Sequence, residues 1–448
     1  MLSANFNFCL DENFNDGKKM FALCERLFPI CRSITGEGFR QSLEILNAEL
    51  GGIMQMHEIK SGTKVFDWVV PPEWNCEDAY IITPSGEKIC DFKQNNLHLM
   101  SYSEPVNAEF DLDELQEHLY SLEHLPEAIP YVTSYYKRRW GFCITHNARQ
   151  KLQKGKYKVY INSNFNENGV LNYADFVIPA TKKCKDEVLF STYLCHPSMA
   201  NNELSGPVVA TFLAKKLLTM GGNLSFNYRF VFIPETIGSI AYLSKHLKHL
   251  QKRVKAGFVL SCVGDDKAYS LIHSPSQATL ADKVALHTFY DKSNFKEYSF
   301  LSKGSDERQY CSPKVNLPVV GLCRTRYGSF KEYHTSLDNL NFISAQGLQG
   351  SLDALSELVK NLEYSDIYEN LCFCEPNLGK RGLYPTISQN FIPNFTRYIV
   401  NFLALCDGKN DVIDIAKKLG IKAFELKECI DVLLKHKLIK KVKNDKTY

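Results

Sequence analysis

The stretch STYLCHPSMANNELSGP, residues 191–207, decides how this chain is read. It closes an apolar run, EVLFSTYLC, with a His-Pro. It then crowds Asn201, Asn202 and Glu203 into one turn before Ser205-Gly206 opens a second apolar stretch, GPVVATFLAKKLLTM. The first run has the length and composition of a strand, the second the periodicity of a helix. The turn between them puts an imidazole, two amides and a carboxylate at the carboxyl end of a strand, where ligands bind in an open α/β sheet.

Working outward, residues 136–365 alternate strand and helix. KYKVYINSNF, YADFVIPA, EVLFSTYLC, NYRFVFIP and KAGFVLSCVG read as strands, and SIAYLSKHLKHL and LADKVALHTFYDK as helices. This alternation predicts an α/β fold, a mainly parallel sheet with helices on both faces. Residues 17–50 are helical at both ends of a Gly-rich break, SITGEG. Residues 52–135 change to short β-type runs with Pro and Gly turns, such as KVFDWVVPPEW and DAYIITPSGEKICDF. From about residue 380 the pattern is helix, turn, helix, helix and a short basic strand, the outline of a winged helix. The expected division is a helical part of the main domain at 1–50, a β-rich insertion at 51–135, the main domain at 136–375 and a winged helix at 380–448.

The chain has 448 residues, 44% hydrophobic and 23% charged, with a formal net charge of +3. That balance gives no electrostatic reason to expect nucleic acid or an anionic membrane as partner. No run of about 20 apolar residues is present to span a bilayer. The start, MLSANFNFCLDENFNDGKK, carries acids early and reads as no secretion leader. Fifteen scattered cysteines, none spaced as C-x-x-C, argue against a disulfide framework or a zinc finger and for a reducing cytoplasm.

The polar residues at the predicted strand ends define the candidate chemistry. His196, Asn202 and Glu203 follow the first strand quoted; Glu235 follows NYRFVFIP; Asp265 and Asp266 follow KAGFVLSCVG; His334 and Asp338 follow LPVVGLCRT. Imidazole and carboxylate together suit zinc, and a Glu beside the metal can take a proton from its water. Each residue also has a plain structural role open to it. Glu203 fits the first turn of a helix, Asn201 or Asn202 its N-cap, and Asp265-Asp266 a solvated turn.

The order of these motifs resembles the aminopeptidase-like zinc hydrolases. The resemblance rests on His196, Asn202-Glu203-Leu204-Ser205-Gly206, Glu235 with Gly238-Ser239, Asp265, Ser305-Asp306, and Tyr333-His334-Thr335 with Asp338. The whole chain is similar to a bacterial branch of that superfamily with an inserted β domain and a C-terminal winged helix. PICRSITGEG (29–38), IPYVTSYYKRRWGFC (129–143), IPETIGSIAYL and SDERQYCSP are its recognisable phrases. The resemblance implies a zinc-dependent peptide or amide hydrolase. Three departures change the expectation. Asn202 stands where the family has its metal-bridging Asp, the tandem Glu-Glu is reduced to Pro234-Glu235, and Asp265 is displaced from the strand end.

One zinc is therefore expected rather than two, held by His196, His334 and Glu203, with Glu235 as the base; the reverse assignment of the two Glu residues stays open. Asn202, Asp265, Arg308, Arg324 and Tyr327 are the expected substrate-binding residues, and Arg32 a further candidate clamp. A small peptide or an N-acylated small molecule is the implied substrate. Two rival readings remain. One is an aminopeptidase fold kept for binding without turnover. The other is a winged-helix regulator reading DNA with KAFELKECIDVLLKHK, whose mixed Glu, Asp and Lys suit packing equally well. Oligomeric state, a homo-oligomer included, stays open.

Overall fold

The structure is a computed structural model that describes residues 16–219, 224–302, 304–385 and 393–442. The first fifteen residues, where no leader was expected, lie outside the described residues.

The central sheet has eight strands: β1 (Gln55–Lys60), β2 (Val170–Ile178), β3 (Glu187–Tyr193), β4 (Asn227–Ile233), β5 (Val254–Leu260), β6 (Tyr269–Ile272), β7 (Phe295–Tyr298) and β8 (Val319–Cys323). Their spatial order is β1-β2-β4-β3-β5-β8-β6-β7. The four central strands β4-β3-β5-β8 are mutually parallel. β2 and β1 join one edge antiparallel, and β6 runs antiparallel to β8 on the other side. β3 is buried at every position, the signature of a strand covered on both faces.

The order of crossovers positions the site. The chain leaves β3, crosses through helix Ser205–Thr219 and enters β4 on one side of it. From β4 it crosses back through helix Ile237–Arg253 to β5 on the other side of β3. Parallel crossovers are right-handed, so reversing direction puts the second helix on the opposite face. Packing agrees. Ser205–Thr219 lies with Asp16–Leu27 and Ala345–Glu363, whereas Ile237–Arg253 lies with the short helix Glu307–Tyr310. Such a reversal opens a crevice at the carboxyl end of β3, and His196 stands there.

The insertion differs from its expected bounds. Its four-stranded sheet has the order Lys88–Ile89, Glu73–Ile82, Lys156–Asn166, Val106–Asp111. Lys156–Asn166, expected in the parallel sheet, therefore belongs to the insertion, and Gln55–Lys60, expected in the insertion, is an edge of the central sheet. The burial of Lys156–Asn166 alternates, with Tyr157, Val159, Ile161 and Ser163 inward. Alternation of that kind marks a one-sided antiparallel strand, unlike the continuous burial of β3.

The winged helix also begins earlier than expected. Ile367–Asn370 is the middle strand of its sheet, between Asp407–Asp411 and Ile439–Lys441. The module docks on the main domain through two lysines. Lys283 reaches Asp411 (2.7 Å) and Asp414 (3.0 Å). Lys422 reaches Asp291 (2.9 Å) and Glu357 (3.1 Å) and donates to the carbonyls of His287 and Thr288. Beside it, Ala423 N–H donates to His287 Nε2 at 3.0 Å, so this imidazole must stay neutral. Burial, helped by the Lys422 charge, lowers its pKa from 6.5 to about 4. The unfolded chain protonates His287 first, so the contribution is complete above pH 6.5 and is lost as pH falls toward 4. Urea unfolding at pH 7.5 and pH 5 should show stability falling with pH, and falling less in His287→Gln.

Candidate active site

β3 delivers Cys195 and His196 to the crevice, and the chain then turns sharply. Ser198 has φ +49°, and Ala200–Leu204 forms a single π-helical turn before the helix begins. π-turns recur at functional sites because they push side chains out of the regular spiral. Asp338, 137 residues away, clasps this turn: its carboxylate accepts the N–H of Asn201 (2.7 Å) and Asn202 (2.9 Å), and its carbonyl accepts that of Ala200 (2.9 Å). Burial pushes the Asp338 carboxyl up to about 7, against the pull of those amides. Gly206 is required by space, because a Cβ there would lie 2.5 Å from the Leu260 carbonyl oxygen.

The turn brings Glu203, fully buried, behind His196. Glu203 Oε1 meets His196 Nδ1, and Oε2 accepts the N–H of Cys195 at 2.7 Å. Both oxygens are thus engaged by the chain. Glu203, expected to be a metal ligand, is placed as the partner that orients His196, because the seven-residue return of the turn brings it to the Nδ1 side. Arg32, also buried, donates to the carbonyls of Leu27 (2.5 Å) and His196 (3.3 Å). It sits inside the fold and cannot serve as an open substrate clamp. Burial pulls the Arg32 pKa down, and the Glu203 charge pulls it back. For His196, burial lowers the pKa, but the charge and hydrogen bond of Glu203 raise it past its ordinary value.

The other ring nitrogen faces the crevice. His196 Nε2 lies 3.5 Å from Glu235 Oε2, and the His196 and His334 ring centres are 5.1 Å apart. Glu235 is 24% exposed in its side chain; its Oε1 accepts the hydroxyl of Ser305 and its N–H donates to Cys195 Sγ at 3.3 Å. Burial raises its carboxyl, and His196 draws it back. His334 has φ +57°. Its carbonyl accepts Tyr131 N–H at 3.0 Å, and Tyr131 packs on both imidazoles, at 4.7 Å from His196 and 5.4 Å from His334. Tyr131 had no expected role, and Asp338, a candidate ligand or base beside His334, instead clasps the amides of the turn. No spacing in the sequence links Tyr131 to His196, whereas Asp338 was visible beside His334.

The expected substrate-binding residues separate in the fold. Asp265 is buried, and its oxygens accept Thr325 Oγ1 (2.6 Å), Thr325 N (3.0 Å), Asn201 Nδ2 (3.0 Å) and Lys267 N (3.0 Å). It ties loops together and has no oxygen to spare. Arg324 stacks over Tyr269 and donates to the Ala268 carbonyl at 2.7 Å; Tyr327 donates to Glu307; Arg308 covers the Phe300 ring. Arg324 and Tyr327 are thus committed within the fold, whereas Arg308 is half-buried. Asn202 stays at the site: its Oδ1 lies 3.6 Å from Cys262 Sγ, and its buried Nδ2 has no hydrogen-bond partner.

Donor atoms that suit a cation gather around His196. The His196 imidazole lies beside both the Glu235 carboxylate and the His334 ring, and N and O donors of this kind suit zinc. Cys195, His196 Nδ1 and Glu203 also cluster within 4.8 Å. That side is closed, faces the Arg32 guanidinium, and its thiol is pushed up by burial.

A parallel core whose switch point carries His196, with Glu235 and His334 brought in from two other strand ends, defines an aminopeptidase-like fold, that of peptidase-type hydrolases. A zinc aminopeptidase from Bacillus subtilis shares it at a TM-score of 0.56 and 13% identity, over 77% of this chain and 95% of that one. The chain belongs to the family described as "Domain of unknown function (DUF4910)", whose model matches residues 21–365; a winged helix-turn-helix model matches residues 366–441. It is similar to a Clostridium acetobutylicum protein named "Putative polysaccharide biosynthesis protein with aminopeptidase-like domain", 43% identical over 432 residues, 95% of this chain and 97% of that protein. It is also similar to a crystal structure described as a "putative peptidase" from Clostridium acetobutylicum, with a TM-score of 0.88 and 40% identity over 96% of this chain and 98% of that one. Among the described residues no helix is long and apolar enough to cross a membrane.

The placement of Asp265 has a direct check. Asp265→Ala should lower unfolding free energy by about 1–3 kcal/mol for each buried donor left without a partner. The exposed neighbour, Asp266→Ala, should change it by less than about 0.5 kcal/mol in the same denaturant titration.

Proposed function

We propose that this chain hydrolyses a peptide or other amide bond at a single zinc ion held by the His196 and His334 imidazoles. The observation that carries the reading is the division of labour around His196: Glu203 grips Nδ1, so Nε2 is presented to the crevice beside Glu235. A carboxylate behind a histidine fixes its tautomer and raises its basicity as a ligand. Zinc, when bound there, polarises the scissile carbonyl and lowers the pKa of water to about 7. The chain supplies the rest. Ser305 holds Glu235 Oε1, which leaves Oε2 to take a proton from water and return it to the leaving amine. Tyr131 covers the two imidazoles and limits water around them. The substrate we propose is a small peptide or an N-acylated sugar or amino acid; the name of the Clostridium relative gives weight to the sugar.

A second reading, binding without turnover, is favoured by the neutral Asn202 at the bridging position. Two measurements separate them. Purified protein should carry about one equivalent of zinc and lose it in the His196→Ala, His334→Ala double variant. It should release free amine from a panel of peptides and N-acetylated amino sugars. Glu235→Gln should keep the zinc and lose about 10²–10⁴-fold in rate. Loss of the zinc instead would make Glu235 the third ligand. Zinc retention with no amine released from any substrate would favour the binding reading.

For the winged helix we propose a docked packing module. Its candidate reader helix, Lys427–Lys435, exposes Glu428 and Asp431 alongside Lys435, and Lys427 is engaged by Asp431 at 2.6 Å. The full chain should therefore show no duplex DNA binding with a steep salt slope near about 0.15 M salt.

A further inference from the structure

The phrase PICRSITGEG lines a cavity of about 440 Å³ between the N-terminal helices and the insertion, within the range of about 300–1,000 Å³ typical of small-molecule sites. Its walls are Pro29, Ile30, Trp74 and Phe92. Its polar groups are Ser33, Gln41, Asn75, Lys93 and Asn96, with Glu37 at the start of helix Glu37–Glu49. None of these residues belongs to the hydrolytic site.

Packing explains the two glycines of the phrase. Gly36 has φ +98°, and a Cβ there would meet the Trp74 carbonyl oxygen at 2.3 Å; at Gly38 it would meet that of Cys31 at 1.8 Å. Packing does not explain Ser33. Its residue is 2% exposed, and its hydroxyl has no hydrogen-bond partner. A buried hydroxyl left without a partner costs about 1–3 kcal/mol, so a site that keeps one is shaped for something that accepts from it. The helix beginning at Glu37 offers more donors. Glu37 N–H goes to Asn75 Oδ1 at 2.7 Å, but Gly36 at the N-cap has no side chain to accept the next amide. A helix N-terminus in this state attracts negative charge. Lys93 adds a cation, its side chain 64% exposed and 3.5 Å from Asp78. The one carboxylate on the lining, Glu37, is paired with Arg40, whose Nε and Nη2 lie 3.0 and 2.9 Å from it, and Arg40 also meets Glu73 at 2.7 Å.

We propose that this cavity is a second binding site, for a small molecule that carries an oxyanion, carboxylate or phosphate, seated between the Ser33 hydroxyl and the start of helix Glu37–Glu49. The rest of the molecule lies along Trp74 and Phe92. Two hydrogen bonds tie the lining to the His196 segment: Arg32, next to Ser33, donates to the His196 carbonyl at 3.3 Å, and Ser198 Oγ donates to Asn96 Oδ1 at 3.4 Å. An occupant therefore shares a wall with the active-site turn without entering it.

Thermal unfolding of the full chain, titrated with inorganic phosphate and separately with acetate, tests this. At least one anion should raise Tm saturably, and the one that acts at lower concentration identifies phosphate or carboxylate as the natural group. Ser33→Ala removes a hydroxyl that bonds to nothing, so Tm without anion should hold or rise while the concentration for half the effect rises tenfold or more. Lys93→Ala, an exposed change that leaves the fold intact, should weaken the effect several-fold, and Glu235→Gln should leave it unchanged. The proposal is overturned if neither anion shifts Tm, if Ser33→Ala and Lys93→Ala both respond as the parent chain does, or if Glu235→Gln abolishes the response.

Discussion

The buried pairing of Glu203 with His196 is the constraint on which the site depends. A carboxylate without solvent contact is costly to place inside a protein unless other groups meet both oxygens. Here His196 Nδ1 and Cys195 N–H do so, with the Arg32 guanidinium close behind. That arrangement needs Glu203 to arrive seven residues after His196, facing back toward β3. An ordinary helical turn would send it elsewhere. The π-turn at Ala200–Leu204 and the Asp338 clasp on its amides exist in this fold to make that return possible.

From the pairing the remainder follows in order. With Nδ1 occupied, only His196 Nε2 can look into the crevice, and the sheet decides what it meets there. Adjacent β4 ends in Glu235, and the loop after β8 carries His334. The insertion then closes one side. The Pro130–Thr335 bridge and the Tyr131 amide on the His334 carbonyl hold Tyr131 over both rings. The site is thus assembled from the parallel core and the inserted segment together.

The winged helix is built into the same body by charge. Lys283 and Lys422 each meet two carboxylates at the seam, and His287 accepts an amide there. Partly buried lysines with paired carboxylates hold orientation more than they add stability. The acids on the outward face of the Lys427–Lys435 helix fit a module whose contacts lie within the chain.

The alternation of strand and helix, the winged-helix outline and the residues at four strand ends were legible in the sequence, because burial on two faces and helical periodicity are local patterns. His196 and Glu235 stood out as candidates for the same reason, since each closely follows an apolar run, whereas His334, in the loop after β8, stood out through its Tyr-His-Thr motif. The insertion's bounds were misread because Lys156–Asn166 and β2 both look like strands, and only the alternate burial of Tyr157, Val159 and Ile161 separates their sheets. The role of Glu203 could not be read, since ligand and orienting partner differ by which ring nitrogen it faces, a matter of the π-turn. Asp265, Arg324 and Tyr327 are polar residues at strand ends just as His196 is. Tertiary packing alone decided that their polar atoms are spent on Thr325, Ala268 and Glu307, because hydrogen bonds between residues far apart in the chain leave no periodic trace in it.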